Sequence, residues 1–551
     1  MFAHALVVAL GTVMSGGPDT VVVSAPEYLD ALRPWLAYRA NQGHQFAFVS
    51  NKGTCEQIRG AIRAQAREGN LRFILLVGDA DPAALFDSRI RARCVPAYMV
   101  PATVTVRYRS PPEIATDNWY ADLDDDHVPD VAIGRLTADS PDELATMVGK
   151  ILAYESSRRG GTWCQRINFV AGVGGFGPLV DPIIEMATKK FLTDGIPPEY
   201  ATSMTYANWR SPYCPSPNFF HQATVSRLNE GCLFWVYIGH GYPYQLDQVR
   251  VPGESYPILS TADMPKLDSR HGAPIAVFLA CYTGAYDQPY DCLAEQMLRA
   301  PGGPVAVLAG SRVMMPYAMA VLGSGLMDEY FHRQPATLGE IILHAKKRLV
   351  NDEARDWNRR LLDVLGAAMS PDPKLLAEER REHLSLFNLF GDPLMRMYYP
   401  RKVELDVAAE VEAGSYLEIR GQSELTGRCT IELVCRRDRL REQPPTRRKY
   451  DNSLTSQAAF NAAYTTANDR RWTFREIEIE NGTFLTAIKV PQSARGAGHV
   501  RAFLENGEEY ALGARDITIL PPKDDSLPAH ASLEDRPPEQ TASGRVTDTR
   551  R

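Results

Sequence analysis

No stretch of this 551-residue chain reaches the ~18–20 consecutive apolar residues that a membrane-spanning helix needs. Basic charge is not in excess: 60 Lys and Arg stand against 67 Asp and Glu, a net charge of −7. That balance gives no electrostatic footprint for a nucleic-acid partner. The short basic clusters Arg436-Arg437 and Arg447-Arg448-Lys449 read as solvated loop charge. None of the nine cysteines forms a Cys-x-x-Cys pair, which argues against a structural zinc site. There is no internal repeat. Gly323-Ser324-Gly325 lacks the flanking pattern of a serine nucleophile elbow. The glycine-rich run Gly172–Gly177 fits a dinucleotide fingerprint poorly in spacing. The N-terminus lacks the basic segment of a signal peptide. It does carry an apolar run, Ala5–Leu10, followed by Ser15-Gly16-Gly17. Residues 1–18 are therefore expected to be an export segment. A cytosolic chain is the alternative. Export would allow several disulfides and one free thiol, and the cytosol nine free thiols.

What is present is an ordinary globular composition, 44% hydrophobic and 23% charged, over a length that implies several domains. Residues 19–156 alternate strand and helix, with strands at 20–24, 45–50 and 71–77 and helices at 26–41, 54–68 and 140–156. A second α/β series fills 163–400, including a helix over 181–194. The expected class is α/β: a parallel sheet with right-handed crossovers, flanked by helices in two subdomains. From 401 to 520, short runs of period two separated by turns predict a small antiparallel β-sandwich. Residues 521–551 are rich in Pro, Ser and charge, and read as a disordered tail.

Two apolar strands stand out. Leu233–Ile238 runs into Gly239-His240-Gly241, and Ile275–Ala280 runs into Cys281. Continuous apolar runs of this length are expected of central strands covered on both faces. Ligands of open α/β sheets bind beyond the carboxyl ends of such strands. A thiol and an imidazole at two such ends suit acyl transfer. Cys281 would attack a peptide carbonyl and His240 would protonate the leaving amine. The backbone N–H groups of Gly241 and Cys281 would form the oxyanion hole. Neither role requires a cofactor. Read singly, Cys281 fits a buried inert thiol and His240 an ordinary loop histidine; their joint placement makes the case.

With these residues in view, the chain resembles the gingipain family of cysteine peptidases, which has a caspase-like fold. The likeness rests on Ile238–Gly241 and Leu279–Cys281, on Leu75–Asp79, on Tyr120–Arg135 and on Leu389–Pro393, in the family's order over about 20–400. The resemblance implies that His240 and Cys281 are the catalytic pair, that substrates are proteins or peptides, that an immunoglobulin-like sandwich follows, and that the chain is secreted or surface-bound. The 41 residues from His240 to Cys281 are a little more than the family pattern, so an enlarged loop near the site is expected. The acidic pocket residue of the Arg- and Lys-cleaving members is not placed by these motifs. A catalytically silent relative used for binding or surface display is the rival reading.

Asp122, Asp124, Asp126 and Asp130 alternate through one loop. Such spacing suits the 6–8 oxygen ligands of a structural Ca²⁺. It is not an EF-hand, because His127 stands where glycine would and no Glu closes the loop. His tolerates the left-handed backbone that such a turn needs. A solvated acidic turn or a pocket for basic substrates are the other readings of these carboxylates.

Overall fold

The computed structural model describes residues 17–156, 160–172, 195–351, 357–370 and 372–522. The export segment, apart from its last two residues, lies outside them. So do the helix expected at 181–194 and nearly all of the tail.

The N-terminal half supplies β1 (Thr20–Ser24), β2 (Phe46–Ser50) and β3 (Phe73–Val77), a hairpin of β4 (Tyr98–Pro101) and β5 (Glu113–Thr116), and β6 (Ala132–Leu136). The second half supplies β7 (Arg166–Ala171), β8 (Ala201–Tyr206), β9 (Phe234–Ile238), a hairpin of β10 (Gln248–Val251) and β11 (Glu254–Pro257), β12 (Ile275–Leu279), β13 (Ala306–Gly310) and β14 (Phe387–Phe390). One ten-stranded sheet runs in the order β2-β1-β3-β6-β14-β13-β12-β9-β7-β8. Each half is parallel within itself, but β14 pairs antiparallel with β13 and parallel with β6. The two half-sheets therefore run in opposite directions. The carboxyl ends of β9 and β12 open on the rim opposite to those of β1, β3 and β6.

Alternation along the buried strands distributes the core between two faces. Val22, Phe73, Leu75 and Val77 pack with Leu32 and Trp35 of helix Leu29–Asn41 and Met147 of helix Pro141–Ser156. Val21, Val23, Ile74 and Leu76 pack with Ile58 and Ile62 of helix Cys55–Ala66 on the other face. The core on the first face continues without interruption into the second half, through Trp235, Tyr237 and Phe278. Full burial of aliphatic and aromatic side chains of this size contributes about 1.5–3 kcal/mol each.

The C-terminal strands are β15 (Arg401–Val407), β16 (Glu410–Glu412), β17 (Tyr416–Ser423), β18 (Gly427–Cys435), β19 (Arg471–Ile479), β20 (Thr483–Lys489), β21 (Gly496–Glu505) and β22 (Tyr510–Leu520). They enclose a separate core. β15 links two layers: Arg401 and Lys402 pair parallel with β22, and Val403–Val407 pair antiparallel with β17. Strand alternation made these strands legible. It did not reveal helix Leu454–Asn468, inserted between β18 and β19. That helix docks on β8, the exposed edge of the large sheet. There the Asn468 side chain accepts from the Met204 N–H (2.8 Å) and donates to its C=O (3.0 Å), standing in for a further strand.

Candidate active site

The register of β9 and β12 places the two reactive residues. These parallel neighbours pair from Phe234↔Ile275 to Ile238↔Leu279. His240 and Cys281 each lie two residues beyond the last pair, on adjacent strands whose spacing is about 4.8 Å. The Gly239 N–H still donates to the Leu279 carbonyl (3.3 Å). Gly241 is closer still: a Cβ there would sit 2.6 Å from the Cys281 carbonyl oxygen and 2.7 Å from Thr283 Cγ2. Only a residue without a side chain lets the histidine loop lie against the cysteine loop. Both His240 and Cys281 are partly exposed.

Each loop is fixed locally. The His240 carbonyl accepts from the Tyr237 hydroxyl (2.8 Å) and the Asp247 N–H (3.1 Å). The interval between the two residues holds the β10–β11 hairpin. Tyr282, directly after the thiol, holds a left-handed backbone (φ 58°), and its N–H donates to Arg312 C=O (3.1 Å). A non-glycine residue in that conformation stores strain, which marks the turn that follows the thiol. Helix Leu293–Arg299 ties the loops together at its start. Its first two N–H groups, which have no partner inside a helix, donate to Pro243 C=O (2.6 Å) on the histidine loop and to Thr283 C=O (3.0 Å) on the cysteine loop.

A third loop, after β13, supports the sulfur. The Met314 N–H points at Cys281 Sγ (3.2 Å). Burial raises the Cys281 thiol pKa, and this donor partly offsets the rise. Two contacts hold the third loop in place. Arg312 makes a bidentate, buried ion pair with Asp287 (2.8 and 2.5 Å). The Met315 N–H donates to His383 Nε2 (2.9 Å), while the other ring nitrogen lies 2.6 Å from Glu379 C=O. The second contact requires the Nδ1–H tautomer, and burial depresses the His383 pKa to about 4, so the ring is neutral. Sequence patterns gave no sign of Met314, Arg312, Asp287 or His383, because their roles exist only across elements.

The aspartate loop is built as a turn around a cation from the chain itself. Asp125 and His127 both take left-handed backbones (φ 72° and 68°). The Asp122 carboxylate accepts from the N–H groups of Asp125 (2.8 Å) and His127 (3.2 Å) and pairs with Arg59 (3.1 Å). Asp125 pairs with Arg59 (2.8 Å) and Arg63 (2.7 Å). Carboxylate oxygens of Asp122, Asp124 and Asp130 converge within 4.8 Å; Asp126 is not in that group. Burial is the main reason that the Asp130 pKa is raised, with Asp124 adding to it.

The other motifs are buried staples. Arg39, fully enclosed, pairs with Glu155 (2.6 Å) and Asp392 (2.5 Å), and Asp392 also accepts from the Trp35 indole (2.5 Å). Arg135 pairs with Asp117 (2.6 Å) and donates to the carbonyls of Gly78 (2.9 Å) and Val95 (2.8 Å). All nine cysteines are free thiols, seven of them buried. The disulfides considered for an exported chain are absent.

A sequence profile of peptidase family C25 matches residues 14–398. Lys-gingipain from Porphyromonas gingivalis is 22% identical over 291 residues, covering 51% of this chain and 15% of that protein. Gingipain R2 from the same species is 23% identical over 364 residues, covering 63% of this chain and 41% of that protein. The chain thus spans less than half the length of either relative. The crystal structure of the Arg-specific cysteine proteinase gingipain R superimposes with a TM-score of 0.52 at 16% identity, over 93% of this chain and all of that one.

Proposed function

Because the chain belongs to peptidase family C25, we propose that it is a cysteine endopeptidase whose nucleophile is Cys281 and whose acid–base partner is His240. The observation that carries this is the shared offset of the two residues beyond paired strand ends, with Gly241 pressed against the Cys281 carbonyl. On substrate binding, His240 takes the thiol proton as Sγ attacks the peptide carbonyl, then delivers it to the leaving amine. The thioester that remains is hydrolysed by water, with His240 as base. The N–H groups of Gly241 and Cys281 face the developing oxyanion in this reading. Met314 N–H steadies the thiolate once formed. Substrates are proteins or peptides. Among the described residues, no helix is long and apolar enough to cross a membrane. We place the protein outside the cytoplasm on the family resemblance, with the C-terminal β-domain as an immunoglobulin-like module.

Ca²⁺ at the aspartate loop is a separate proposal. Asp122, Asp124 and Asp130 would hold it for stability, not chemistry. Arg59 already answers part of their charge, so the site suits a weakly held ion.

The test of the main reading is labelling by a peptidyl chloromethyl ketone together with a peptide-library cleavage assay. Wild type is expected to label stoichiometrically at Cys281 and to cleave. His240→Ala and Cys281→Ala are expected to lose at least a thousandfold in kcat/KM. A wild type that labels no faster than His240→Ala, with no cleavage, would leave the silent binding protein as the better account.

A further inference from the structure

Three tyrosines border the histidine side of the catalytic pair, and the catalytic steps use none of them. Tyr242 and Tyr244 follow His240 on its own loop. Tyr290 lies on the segment that leads from the cysteine loop to helix Leu293–Arg299. They are left 48, 50 and 53% exposed. A single apolar side chain at a surface is ordinary, whereas a group of them marks a binding surface. These three are grouped. The Tyr244 and Tyr290 rings meet edge to face, with centroids 6.4 Å apart and planes at 68°, and Tyr242 is two residues from Tyr244.

The backbone that carries them is fixed. The Tyr242 N–H donates to Gln245 C=O (2.9 Å) and closes a tight turn. Pro243 C=O accepts from the Leu293 N–H (2.6 Å), and Tyr244 C=O from the Thr261 N–H (3.0 Å). Buried Leu246 pairs with Gly241 at the base of the turn. Asp291, beside Tyr290, is engaged by Arg299 (2.8 Å). Tyrosine rings on such a frame supply contact area at little cost in conformational entropy, since each has only two side-chain torsions to fix.

Strand order decides which half of a peptide meets them. β12, which leads to Cys281, lies between β9 and β13. The histidine loop is therefore on one side of the sulfur and the loop after β13 on the other. In the peptidase reading the acyl half stays bonded to Sγ, and the leaving amine must lie within reach of His240 to receive its proton. The residues that follow the scissile bond then run along the histidine loop, towards Tyr242, Tyr244 and Tyr290.

We propose that these tyrosines are specificity-determining residues for the leaving half of the substrate, and that they take an aromatic or large aliphatic side chain from one of the first few positions after the scissile bond. The inference rests on the peptidase reading and adds to it the class of peptide preferred. Ring faces and edges left open to solvent favour offset or edge-on packing with such a side chain.

The test measures cleavage by the full chain of a peptide library. The residues before the scissile bond are those of a peptide it cleaves, and the residues after it are varied. Substrates with Phe, Tyr or Leu after the bond are expected to exceed those with Gly or Ser there by about tenfold in kcat/KM. In Tyr244→Ala and Tyr290→Ala that ratio is expected to fall towards one. As a ratio within one sample, it does not depend on how much of the variant is folded. A wild type indifferent to the residues after the bond would overturn the inference. So would a preference for charged residues there, or a preference for aromatic ones that both variants keep. A wild type that cleaves no library peptide and labels no faster than His240→Ala would overturn the peptidase reading, and this inference with it.

Discussion

At the scale of single residues, the site depends on what is missing at Gly241 and on what surrounds His383. Gly241→Ala puts a methyl 2.6 Å from the Cys281 carbonyl oxygen, a distance that real Cβ atoms do not reach, so one catalytic loop must retreat. The variant is expected to fold and to lose at least tenfold in kcat/KM, since a displacement near 1 Å is enough for that. His383 makes a prediction about pH. Its folded pKa, about 4, lies below the unfolded value near 6.5. The unfolded chain therefore binds the proton first, and stability falls as pH drops from 6.5 towards 4, by about 3 kcal/mol in all. Glu379, raised to about 7 by burial, acts in the opposite sense: its contribution falls as pH rises from about 4.5 to 7. The two overlap, so the His383 part is read by difference. Urea unfolding of His383→Gln is expected to show a smaller acid-side loss than wild type; parallel pH profiles would contradict the assignment.

Elements set the next scale. The loop after β13 owes its position to the Arg312–Asp287 pair, whose partners are both buried. Arg312→Met leaves Asp287 buried and alone, which costs about 3–5 kcal/mol, and frees Met314 to leave the sulfur. Alkylation of Cys281 followed against pH is expected to show a higher apparent pKa in this variant than in wild type, because the Met314 N–H no longer faces Sγ. In the aspartate loop, Arg59 and a bound cation compete for Asp122. Arg59→Gln is therefore expected to melt lower in chelator and to gain more from millimolar Ca²⁺ than wild type does. A melting temperature that ignores Ca²⁺ in both proteins would remove the metal from this loop.

Across the whole molecule, the core that spans β3, β9 and β12 makes the two α/β halves one cooperative body. Asp392 sits at its centre, holding Arg39 and Trp35 from the first helix. Asp392→Ala is expected to lower the unfolding free energy of residues 19–400 by about 3–5 kcal/mol, with both halves still melting in a single transition by circular dichroism and tryptophan fluorescence. The C-terminal β-domain has its own core and is expected to keep its signal in this variant.

Much of this was legible in the chain alone. Continuous apolar runs determined β3, β9 and β12, because a strand covered on both faces leaves no polar positions. His240 and Cys281 could be singled out because each follows such a run directly. Left-handed His127 was legible from loop chemistry. The reversal of the half-sheets at β14 was not, since four residues, Phe387–Phe390, carry no mark of strand direction. Nor was helix Leu454–Asn468, whose exposed face is not patterned as a core helix would be. The donors to the sulfur and the partners of Arg39, Arg135 and Arg312 were also beyond sequence. Local pattern records which residues must be buried; only the tertiary structure decides which buried charge meets which, because those partners are separated by tens to hundreds of residues and are chosen by packing.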